Sequence, residues 1–315
     1  MTKCLLLGAN GFVGSHLVDE LVANGDEVRA FDRFSNGTQF LPNKNIEIVK
    51  GDILNKNDIH EALLGIDYVF HFISTTNPAT ADKDPLLDIE TNVRMSLQLF
   101  DACVQHKIKR VIFASTGGAM YGEVNQETPI KENICPQPIS PYAIGKLTIE
   151  NYLRFYQKKH KLDSVIFRIS NAYGERCSLN KHQGVIPIFL HHLLCDKPIT
   201  ILGDGSMIRD YIYVKDLTKL IAEAYKDASQ PLYNIGSGIG VSINELVEII
   251  KKVTHKSFKI NYAPKPATFV DKIVLDTILY RDEFRIKPEI SLAAGIEMTW
   301  EYMKEQHSAS KQIVS

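Results

Sequence analysis

Apolar residues in the first half of the chain form two patterns that alternate with each other. Short continuous apolar runs predict strands at about 3 to 8, 27 to 32, 46 to 49, 67 to 73, 109 to 115 and 163 to 169. Helical spacing predicts helices between them, notably over residues 86–105 and 142–160. Strands that alternate with helices are typical of βαβ units in a doubly wound parallel sheet. The chain is therefore predicted to have an α/β fold.

A glycine turn follows the first predicted strand. Gly8, Gly11 and Gly14 lie between the apolar run of residues 4–7 and a predicted helix, whose free N–H groups favour phosphate binding. Gly8 allows a tight turn, Gly11 lets a pyrophosphate approach the backbone, and Gly14 lets the helix pack close to the strand. This arrangement predicts a dinucleotide-binding sheet of the Rossmann type.

Asp32 ends the second predicted strand, where a dinucleotide-binding fold has its ribose-binding carboxylate. A carboxylate there accepts the adenosine 2′-hydroxyl and repels a 2′-phosphate, which predicts NAD rather than NADP. The adjacent Arg33 would accommodate a phosphate and opposes this preference. The alternative, a solvated acid at a strand end, is less favoured because strand, turn, helix, strand and acid occur in order.

The alternation loosens after Asn171. A helix around residues 186–194, a strand at residues 199–202 and the run of residues 209–214 indicate a smaller C-terminal α/β part. The predicted division of the chain is a NAD-binding Rossmann domain, residues 1–170 with 210–236 returning to the sheet, and a substrate-binding part, residues 171–209 and 237–315.

Composition and charge favour a small-molecule ligand. The chain carries 36 Lys and Arg against 37 Asp and Glu, interspersed, so neither a nucleic-acid nor an anionic-membrane surface is indicated. No apolar run approaches the length of a membrane span, and a strand that begins directly after Thr2 leaves no room for a signal peptide. The five cysteines are scattered without a CxxC pair, and the ten histidines lack metal-ligand spacing. We expect a cytoplasmic protein without a metal site.

Tyr142 and Lys146 are four residues apart on a predicted helix and therefore share one face. A nearby lysine cation favours the phenolate form of a tyrosine, as does the positive nicotinamide ring of oxidised NAD. Tyr142 is thus predicted to have a lowered pKa and to act as a base on hydroxyl groups, while Lys146 can also donate to the nicotinamide ribose. On spacing alone, an ordinary Tyr and Lys on a surface helix remains the alternative.

Two hydroxyl residues end the strand before this helix. Ser115 and Thr116 precede the pair Gly117 and Gly118, and an α/β sheet places its ligand at such a strand end. Thr116 is predicted to hydrogen-bond the reacting oxygen, with Ser115 as the second choice. Either could instead be a satisfied turn hydroxyl.

Together these motifs resemble the extended short-chain dehydrogenases/reductases of the NAD-dependent epimerase/dehydratase family, most of all the UDP-glucose 4-epimerases. The resemblance covers nearly the whole chain in family order: GANGFVG, Asp32, Gly51-Asp52-Ile53, Asn92, STGGAMYG, YAIGK, RISNAYG and GDGSMIRDYIYVKD. It implies a catalytic triad of Thr116, Tyr142 and Lys146. The predicted NAD-binding residues are Gly8, Asn10, Gly11, Phe12, Val13, Gly14, Asp32, Arg33, Asp52, Ile53, Phe72, Ile73, Ser74, Asn92, Tyr142 and Lys146.

The resemblance also implies a nucleotide-sugar substrate. The residues predicted to bind it are Thr116, Tyr142, Asn171, Val185, Arg209, Tyr211 and Lys265. Arg209 would pair with the diphosphate, because a planar guanidinium suits phosphate groups, whereas without the family Arg209 and Asp210 are interpreted as a solvated ion pair. The chain departs from the family at residues 264–271, where a second arginine is usual and Lys265 is the cation present.

The reaction expected from the resemblance begins when Tyr142 takes the proton of the sugar 4-hydroxyl while C4 passes a hydride to NAD, which gives a 4-keto sugar. Gly117 and Gly118 stand where 4,6-dehydratases have an acidic pair, and the acid that decarboxylases of uronic acid sugars have in this turn is also missing. Two small glycines leave room for the keto sugar to rotate. We therefore expect 4-epimerisation of a UDP-hexose.

Two alternatives remain open. An NAD(P)H-dependent 4-ketoreductase or dehydrogenase of a deoxy nucleotide sugar uses the same triad in one direction, and the hydroxyl-rich residues 72–78 fit it. A non-catalytic, NAD-sensing binding protein on the same scaffold is less favoured, because such proteins usually lack the Tyr or the Lys.

The helices predicted over residues 86–105 and 142–160 carry apolar residues on more than one face. Burial against the sheet accounts for most of this pattern. Family members often dimerise through these two helices, so the resemblance implies a homodimer.

Overall fold

Every apolar run predicted as a strand in the first half of the chain forms one in the computed structural model, which describes residues 2–35, 37–124, 129–177, 184–266 and 268–314. The strands are β1 (Lys3–Leu7), β2 (Glu27–Asp32), β3 (Ile46–Lys50), β4 (Tyr68–His71), β5 (Arg110–Thr116), β6 (Asp163–Ile169), β7 (Asn171–Tyr173), β8 (Ile199–Leu202), β9 (Ile208–Tyr213), β10 (Leu232–Ile235), β11 (Gly240–Ser242), β12 (Ile260–Ala263) and β13 (Lys272–Ile273).

The helices in the same residues alternate with these strands. They are α1 (Phe12–Ala23), α2 (Lys56–Ala62), α3 (Pro78–Lys83), α4 (Pro85–Asp88), α5 (Arg94–Gln105), α6 (Pro141–His160), α7 (Val185–Leu194), α8 (Val214–Ala224), α9 (Ile243–Thr254), α10 (Ile278–Phe284) and α11 (Leu292–Val314). A π-helical turn, Ile89–Val93, joins α4 to α5. Within the described ranges, no helix combines the length and the apolar character needed to span a bilayer.

The main sheet is parallel and runs in the order β3-β2-β1-β4-β5-β6-β10. This is the order of dinucleotide-binding sheets, which bind ligands at the carboxyl ends of the strands where the order reverses. Side chains of β1 alternate between two cores: Leu5 and Leu7 pack with α2, α5 and α6, whereas Cys4 and Leu6 pack with α1 and α8. The predicted Rossmann-type, doubly wound fold is confirmed.

A second group of strands lies outside the main sheet. β9 pairs with β7, β11 and β13, and β8 pairs with β12. Helices α7, α9 and α11 pack with β9 in a separate apolar core that contains Tyr211, Tyr213 and Trp300. Of residues 210–236, α8 packs on α1 and β10 joins the main sheet, whereas β9 belongs to the second group. The division into a NAD-binding domain and a substrate-binding part stays a prediction.

The prediction of a single helix over residues 86–105 is wrong near its start, because the chain forms α4, the π turn and α5 in succession. Asp84 caps α4, since its side chain accepts the N–H of Leu87 at 3.1 Å. The π turn widens the helix and leaves Asp88 and Asn92 buried beside α6. Apolar spacing cannot distinguish such a turn from an α-helix, and π turns are frequent at functional sites.

Helix α6 begins one residue earlier than predicted, at Pro141. The hydroxyl of Ser140 accepts the N–H of Ala143 at 3.4 Å, and proline is favoured at the first helical position because its missing N–H has no intrahelical partner there. This start places Tyr142 in the first turn of the helix and Lys146 one turn later.

Candidate active site

The glycine turn lies in tight contact with its neighbours. A Cβ on Gly14 would lie 2.0 Å from the carbonyl oxygen of Gly8, and a Cβ on Gly8 would lie 2.9 Å from the backbone of Ile73. Gly8 also has a φ of +86°, which glycine adopts without strain. Gly11 caps α1 without a side chain, and the first turn, which holds Phe12 and Val13, contains no acid. The N–H groups at this helix end can therefore receive the phosphates of a dinucleotide.

Asp32 faces the same turn from the end of β2. Its Oδ2 accepts the backbone N–H of Asn10 at 3.0 Å, and its Oδ1 accepts the N–H of Arg33 at 2.7 Å. The side chain of Asn10 donates to the carbonyl of Gly37 at 2.7 Å and accepts the N–H of Gln39 at 2.9 Å. Asp32 is half-buried and Arg33 is exposed. Each Asp32 oxygen keeps a lone pair for a ribose hydroxyl, so the residues present fit a dinucleotide.

The other predicted cofactor residues follow β3 and β4. Asp52 accepts the N–H of Leu54 at 3.0 Å, and Ile53 is buried. Phe72, Ile73 and Ser74 follow β4, where Phe72 donates its N–H to Leu7 at 3.1 Å. The fold thus brings these residues, the glycine turn and Asp32 to one edge of the main sheet.

The predicted catalytic residues meet at the end of β5. Lys146 donates a hydrogen bond of 2.8 Å to the carbonyl of Ala114, and its Nζ lies 4.7 Å from the centre of the Phe113 ring. The same nitrogen is 5.8 Å from the centre of the Tyr142 ring. Lys146 is therefore held between its own helix and the strand that ends at Thr116.

A buried ionic network behind this strand separates the roles of the two hydroxyls. Glu150 pairs with Arg168 through two hydrogen bonds of 2.7 and 3.1 Å, and both side chains are almost fully buried. Ser115 donates to Glu150 at 2.6 Å, and Arg168 also donates to the hydroxyl of Tyr121 at 2.9 Å. Thr116, one residue later, is only half-buried at the strand end. This geometry favours Thr116 over Ser115 as the hydroxyl that can reach a substrate.

The pKa of Tyr142 is shifted in the direction opposite to that expected from the sequence. Burial, together with the carboxylate of Asp88, raises it to about 12. Burial lowers the pKa of Lys146 to about 8, although Asp88 and Glu150 oppose this shift. Lys146 alone is therefore insufficient to produce a phenolate at neutral pH, because burial and Asp88 outweigh it.

Sequence reasoning missed Asp88 and Glu150. Glu150 had a signal, because it lies four residues after Lys146 on the same helical face. Asp88 had the same kind of signal, because it lies four residues before Asn92, but it belongs to no motif and its segment was interpreted as an apolar helix. In the structure Asn92 donates to Asp88 at 2.8 Å.

The strand β9 carries the predicted substrate residues on one face. The guanidinium of Arg209 donates to the carbonyls of Val270 at 2.6 Å and Ile208 at 2.8 Å. The hydroxyl of Tyr211 is buried without a hydrogen-bond partner in the described residues. Backbone carbonyls orient Arg209 without neutralising it, so its charge can bind an anion, and Tyr211 offers a hydroxyl nearby.

The interpretation of Arg209 and Asp210 as a solvated ion pair is wrong. Asp210 is fully buried, and its carboxylate accepts the N–H groups of Ser237 at 2.8 Å, Gly238 at 3.1 Å and Leu275 at 3.3 Å. Successive residues of a strand point to opposite faces, so the arginine and the acid diverge. Asp210 instead ties β9 to the segments after β10 and β13.

Three further residues that are predicted to bind the substrate lie in different surroundings. Asn171 donates to the carbonyl of Asp210 at 2.9 Å, close to β9. Val185 is the first residue of α7, and residues 178–183 before it lie outside the described part of the chain. Lys265 forms an exposed ion pair with Asp271, so its ammonium is already engaged.

The two glycines after Thr116 differ in their surroundings. A Cβ on Gly117 would lie 2.5 Å from Cδ1 of Leu275 and 3.2 Å from the carbonyl oxygen of Arg168, whereas a Cβ on Gly118 would lie 3.4 Å from the amide oxygen of Asn171. Leu275 thus fills the space beside the first glycine. The room expected from two small residues exists only beside Gly118, which faces a predicted substrate residue.

Comparison with known proteins places this site in a group of nucleotide-sugar enzymes. The sequence profile described as the NAD dependent epimerase/dehydratase family matches residues 4–236. A putative UDP-glucose 4-epimerase of Methanocaldococcus jannaschii is 34% identical over 308 residues, which is 96% of this chain and 99% of the relative. A dTDP-4-dehydro-6-deoxyglucose reductase of Escherichia coli is 31% identical over 93% of this chain and 95% of the relative.

A solved structure is similar over the same extent. The UDP-glucose 4-epimerase of Thermotoga maritima, crystallised with UDP-glucose, superimposes with a TM-score of 0.91 at 33% identity and covers 97% of this chain and 100% of that chain.

Proposed function

Because the chain belongs to the NAD-dependent epimerase/dehydratase family, we propose that it interconverts the C4 epimers of a UDP-hexose through a transient 4-keto sugar, with NAD as its cofactor. The observation that carries this proposal is the Tyr142 and Lys146 pair against β5, the strand that ends at Thr116, before a turn of two glycines that supplies no second acid or base. A 4-epimerase needs no further catalytic group, whereas a dehydratase does.

The glycine turn, Asp32 and Lys146 would hold the cofactor. When bound, NAD would supply the hydride acceptor and donor that C4 of the sugar needs. Tyr142 accepts the proton of the sugar 4-hydroxyl and later returns it, and the hydroxyl of Thr116 donates to the same oxygen. Lys146, fixed by Ala114, places a positive charge beside Tyr142.

Arg209 supports a nucleotide diphosphate as the distal part of the substrate. Its guanidinium is partly buried and bonded to backbone carbonyls, and burial lowers its pKa although Asp271 and Glu123 oppose this shift. Within the described residues it forms no direct ion pair, so it can receive a negative charge. A diphosphate would supply that charge in bidentate geometry. Tyr211 and Asn171 lie on paired strands beside it.

A one-directional 4-ketoreductase is the second candidate. Thr75 and Thr76 form a hydroxyl-bearing segment beside Asn92, and the 31% identity to the Escherichia coli reductase supports this reading. Cofactor behaviour discriminates the two enzymes: an epimerase ends its cycle with NAD in its starting state, whereas a reductase consumes reduced cofactor.

The deciding experiment incubates the purified protein separately with UDP-glucose, UDP-N-acetylglucosamine and dTDP-4-keto-6-deoxyglucose, and follows both the sugar products and the NADH absorbance. Conversion of a UDP-hexose to its C4 epimer without lasting absorbance change supports the epimerase. Reaction of the keto sugar alone, with stoichiometric loss of NADH, replaces it by the reductase.

A non-catalytic role is tested by Tyr142→Phe, which keeps the ring and removes the proton carrier. Loss of turnover by at least about a hundredfold with retained NAD binding supports an enzyme. Absence of turnover in the wild type on every nucleotide sugar tested, with NAD bound, would favour the sensing protein.

A homodimer is supported by an apolar stripe on α6. Ile144, Tyr152 and Phe155 are between 39% and 50% exposed, and Leu86 and Ile89 are exposed on the neighbouring segment. Scattered single apolar residues are normal, but these lie on adjacent helices. Light scattering of the wild type and of Phe155→Glu tests the dimer, which the charged variant should dissociate.

Action in the cytoplasm is supported by five cysteines that form no disulfide.

A further inference from the structure

Asp88 is a buried acid beside the catalytic pair. It ends α4 directly before the π turn, and its side chain is 3% exposed. A buried carboxylate is costly unless it is hydrogen-bonded or balanced by a cation, so its surroundings indicate what it does.

One oxygen of Asp88 organises the segment after β4. Its Oδ1 accepts the hydroxyl of Thr76 and the amide of Asn92, the latter at 2.8 Å. The carbonyl oxygen of the Asn92 side chain in turn accepts the N–H of Thr75 at 3.0 Å. Asp88 and Asn92 thereby fix residues that directly follow the predicted cofactor residue Ser74.

The other oxygen is directed at the catalytic helix. A Cβ on Gly145 would lie 2.2 Å from Oδ2 of Asp88, so the carboxylate touches the backbone there and only glycine permits it. Gly145 directly precedes Lys146 in the turn that starts from Tyr142. A narrow cavity is bordered by Asp88, Tyr142 and Lys146 together.

We propose that Asp88 is a positioning residue for the proposed reaction: it fixes the segment after β4 against the catalytic helix and places its carboxylate beside Lys146 and Tyr142. This inference rests on the proposed function, since it concerns the residues that carry the proton in that reaction. The Asp88 carboxylate raises the pKa of both groups. It therefore favours the ammonium form of Lys146 and disfavours the phenolate form of Tyr142.

The other titratable groups around the Tyr142 and Lys146 pair are either engaged in an ion pair or neutral. Glu150, on the same helix, is paired with Arg168 and accepts from Ser115. His71, from β4, is neutral because burial, together with Lys146, lowers its pKa to about 3. Asp88 raises the pKa of both Tyr142 and Lys146. Among these groups, Asp88 is therefore the one whose charge acts on both members of the pair.

The test compares the pH dependence of kcat/KM of the NAD-loaded enzyme for wild type, Asp88→Asn and Glu90→Gln. The asparagine keeps an oxygen for Thr76 and Asn92 but removes the charge. Glu90→Gln removes the same charge from an exposed position two residues away and is the matched control. Without the Asp88 charge both pKa values fall, so the acidic and the basic limb should both move to lower pH by at least about 0.5 unit. The control should keep the wild-type profile.

The outcomes separate this inference from the proposed function. If wild type epimerises a UDP-hexose and Asp88→Asn only lowers the rate uniformly, Asp88 is structural and the inference is wrong. If wild type acts only as a ketoreductase, the proposed function is wrong, and the profiles are taken on that reaction because the same pair moves the proton.

A second variant serves if Asp88→Asn does not fold. Gly145→Ala favours the helix by about 1 kcal/mol in propensity, so a disturbance must come from the methyl group displacing the carboxylate. It should move both limbs in the same direction as Asp88→Asn. An unshifted profile in a folded Gly145→Ala protein would overturn the inference.

Discussion

The hydroxyl of Ser115 donates a hydrogen bond of 2.6 Å to the carboxylate of Glu150. That carboxylate also holds Arg168, so Ser115 completes a buried network, whereas its neighbour Thr116 is only half-buried at the strand end. Two adjacent hydroxyls of similar chemistry thus have different surroundings, which makes their functions separable by mutation.

Thr116→Ala is expected to lower kcat by about a hundredfold, because it removes a donor to the reacting oxygen, and to change stability by no more than about 0.5 kcal/mol. Ser115→Ala is its matched control and should lower stability while it leaves kcat nearly unchanged. It leaves Glu150 short of a buried hydrogen bond, which costs about 1–3 kcal/mol of folding free energy. Steady-state kinetics and urea unfolding of both variants check this, and a larger loss of kcat in Ser115→Ala would contradict the assignment.

Asp32→Asn is expected to shift cofactor preference toward NADP. The amide keeps an oxygen for one of the two backbone N–H groups that Asp32 accepts and removes the charge that repels a 2′-phosphate, and the exposed Arg33 is adjacent. We expect NAD to bind about tenfold more weakly and the NAD to NADP affinity ratio to fall further. Calorimetric titration with both dinucleotides measures this. Arg33→Gln in the same background should reverse the gain in NADP affinity, and an unchanged ratio in Asp32→Asn would show that Asp32 does not contact the ribose.

Arg209→Lys is expected to weaken UDP binding about tenfold, because one ammonium cannot replace a guanidinium that bonds Val270 and Ile208 and still receives a phosphate. Lys265→Ala should weaken it less than about threefold, since Lys265 is exposed and paired with Asp271. The dissociation constants for UDP, measured for both variants, check these two expectations. An equal loss in both variants would mean that Lys265 does replace the arginine usual in the family.

Lys146→Met is expected to abolish turnover and to stabilise the fold at pH 7. Burial lowers the pKa of Lys146 from 10.5 to about 8, which corresponds to about 3 kcal/mol of cost for keeping the charge in the folded state. Loss of the hydrogen bond to Ala114 offsets about 1 kcal/mol of that gain. The variant should therefore be about 2 kcal/mol more stable at neutral pH.

The sign of the pH dependence follows from the lowered pKa. Above pH 8 the folded lysine loses its proton while the unfolded lysine keeps it up to about 10.5, so wild type gains stability as pH rises through this window. The difference between variant and wild type should shrink from pH 8 to 10.5 in urea unfolding. A difference that stays constant with pH would show that Lys146 is not charged at a cost in the folded protein.

The features that the sequence predicted correctly are those with a local signal. Apolar runs placed the strands, and the glycines with Asp32 placed the turn at the sheet edge. The order of the strands, the π turn at Ile89–Val93 and the burial of Asp210 depend on contacts between distant segments, which no local pattern records.

The sequence indicated which residues could form the site, but the pKa shift that it predicted for Tyr142 has the opposite direction. Tyr142 and Lys146 were found by their spacing, but the pKa of Tyr142 depends on burial and on Asp88, which approaches from another helix through the gap left by Gly145. Which of two hydroxyls is free was likewise decided by Glu150 and Arg168 behind the strand. The predicted assignment of each binding residue stays a prediction.

The contact between Gly117 and Leu275 also bears on how this enzyme could diverge. An acid at position 117 is what a change toward dehydration would require, but its Cβ would lie 2.5 Å from Leu275 and 3.2 Å from the carbonyl oxygen of Arg168. The first mutation on that path therefore meets a steric penalty before it brings any new chemistry, unless Leu275 is replaced by a smaller residue beforehand. Divergence of this lineage would thus depend on the order of substitutions, with a permissive change at position 275 preceding the change at position 117.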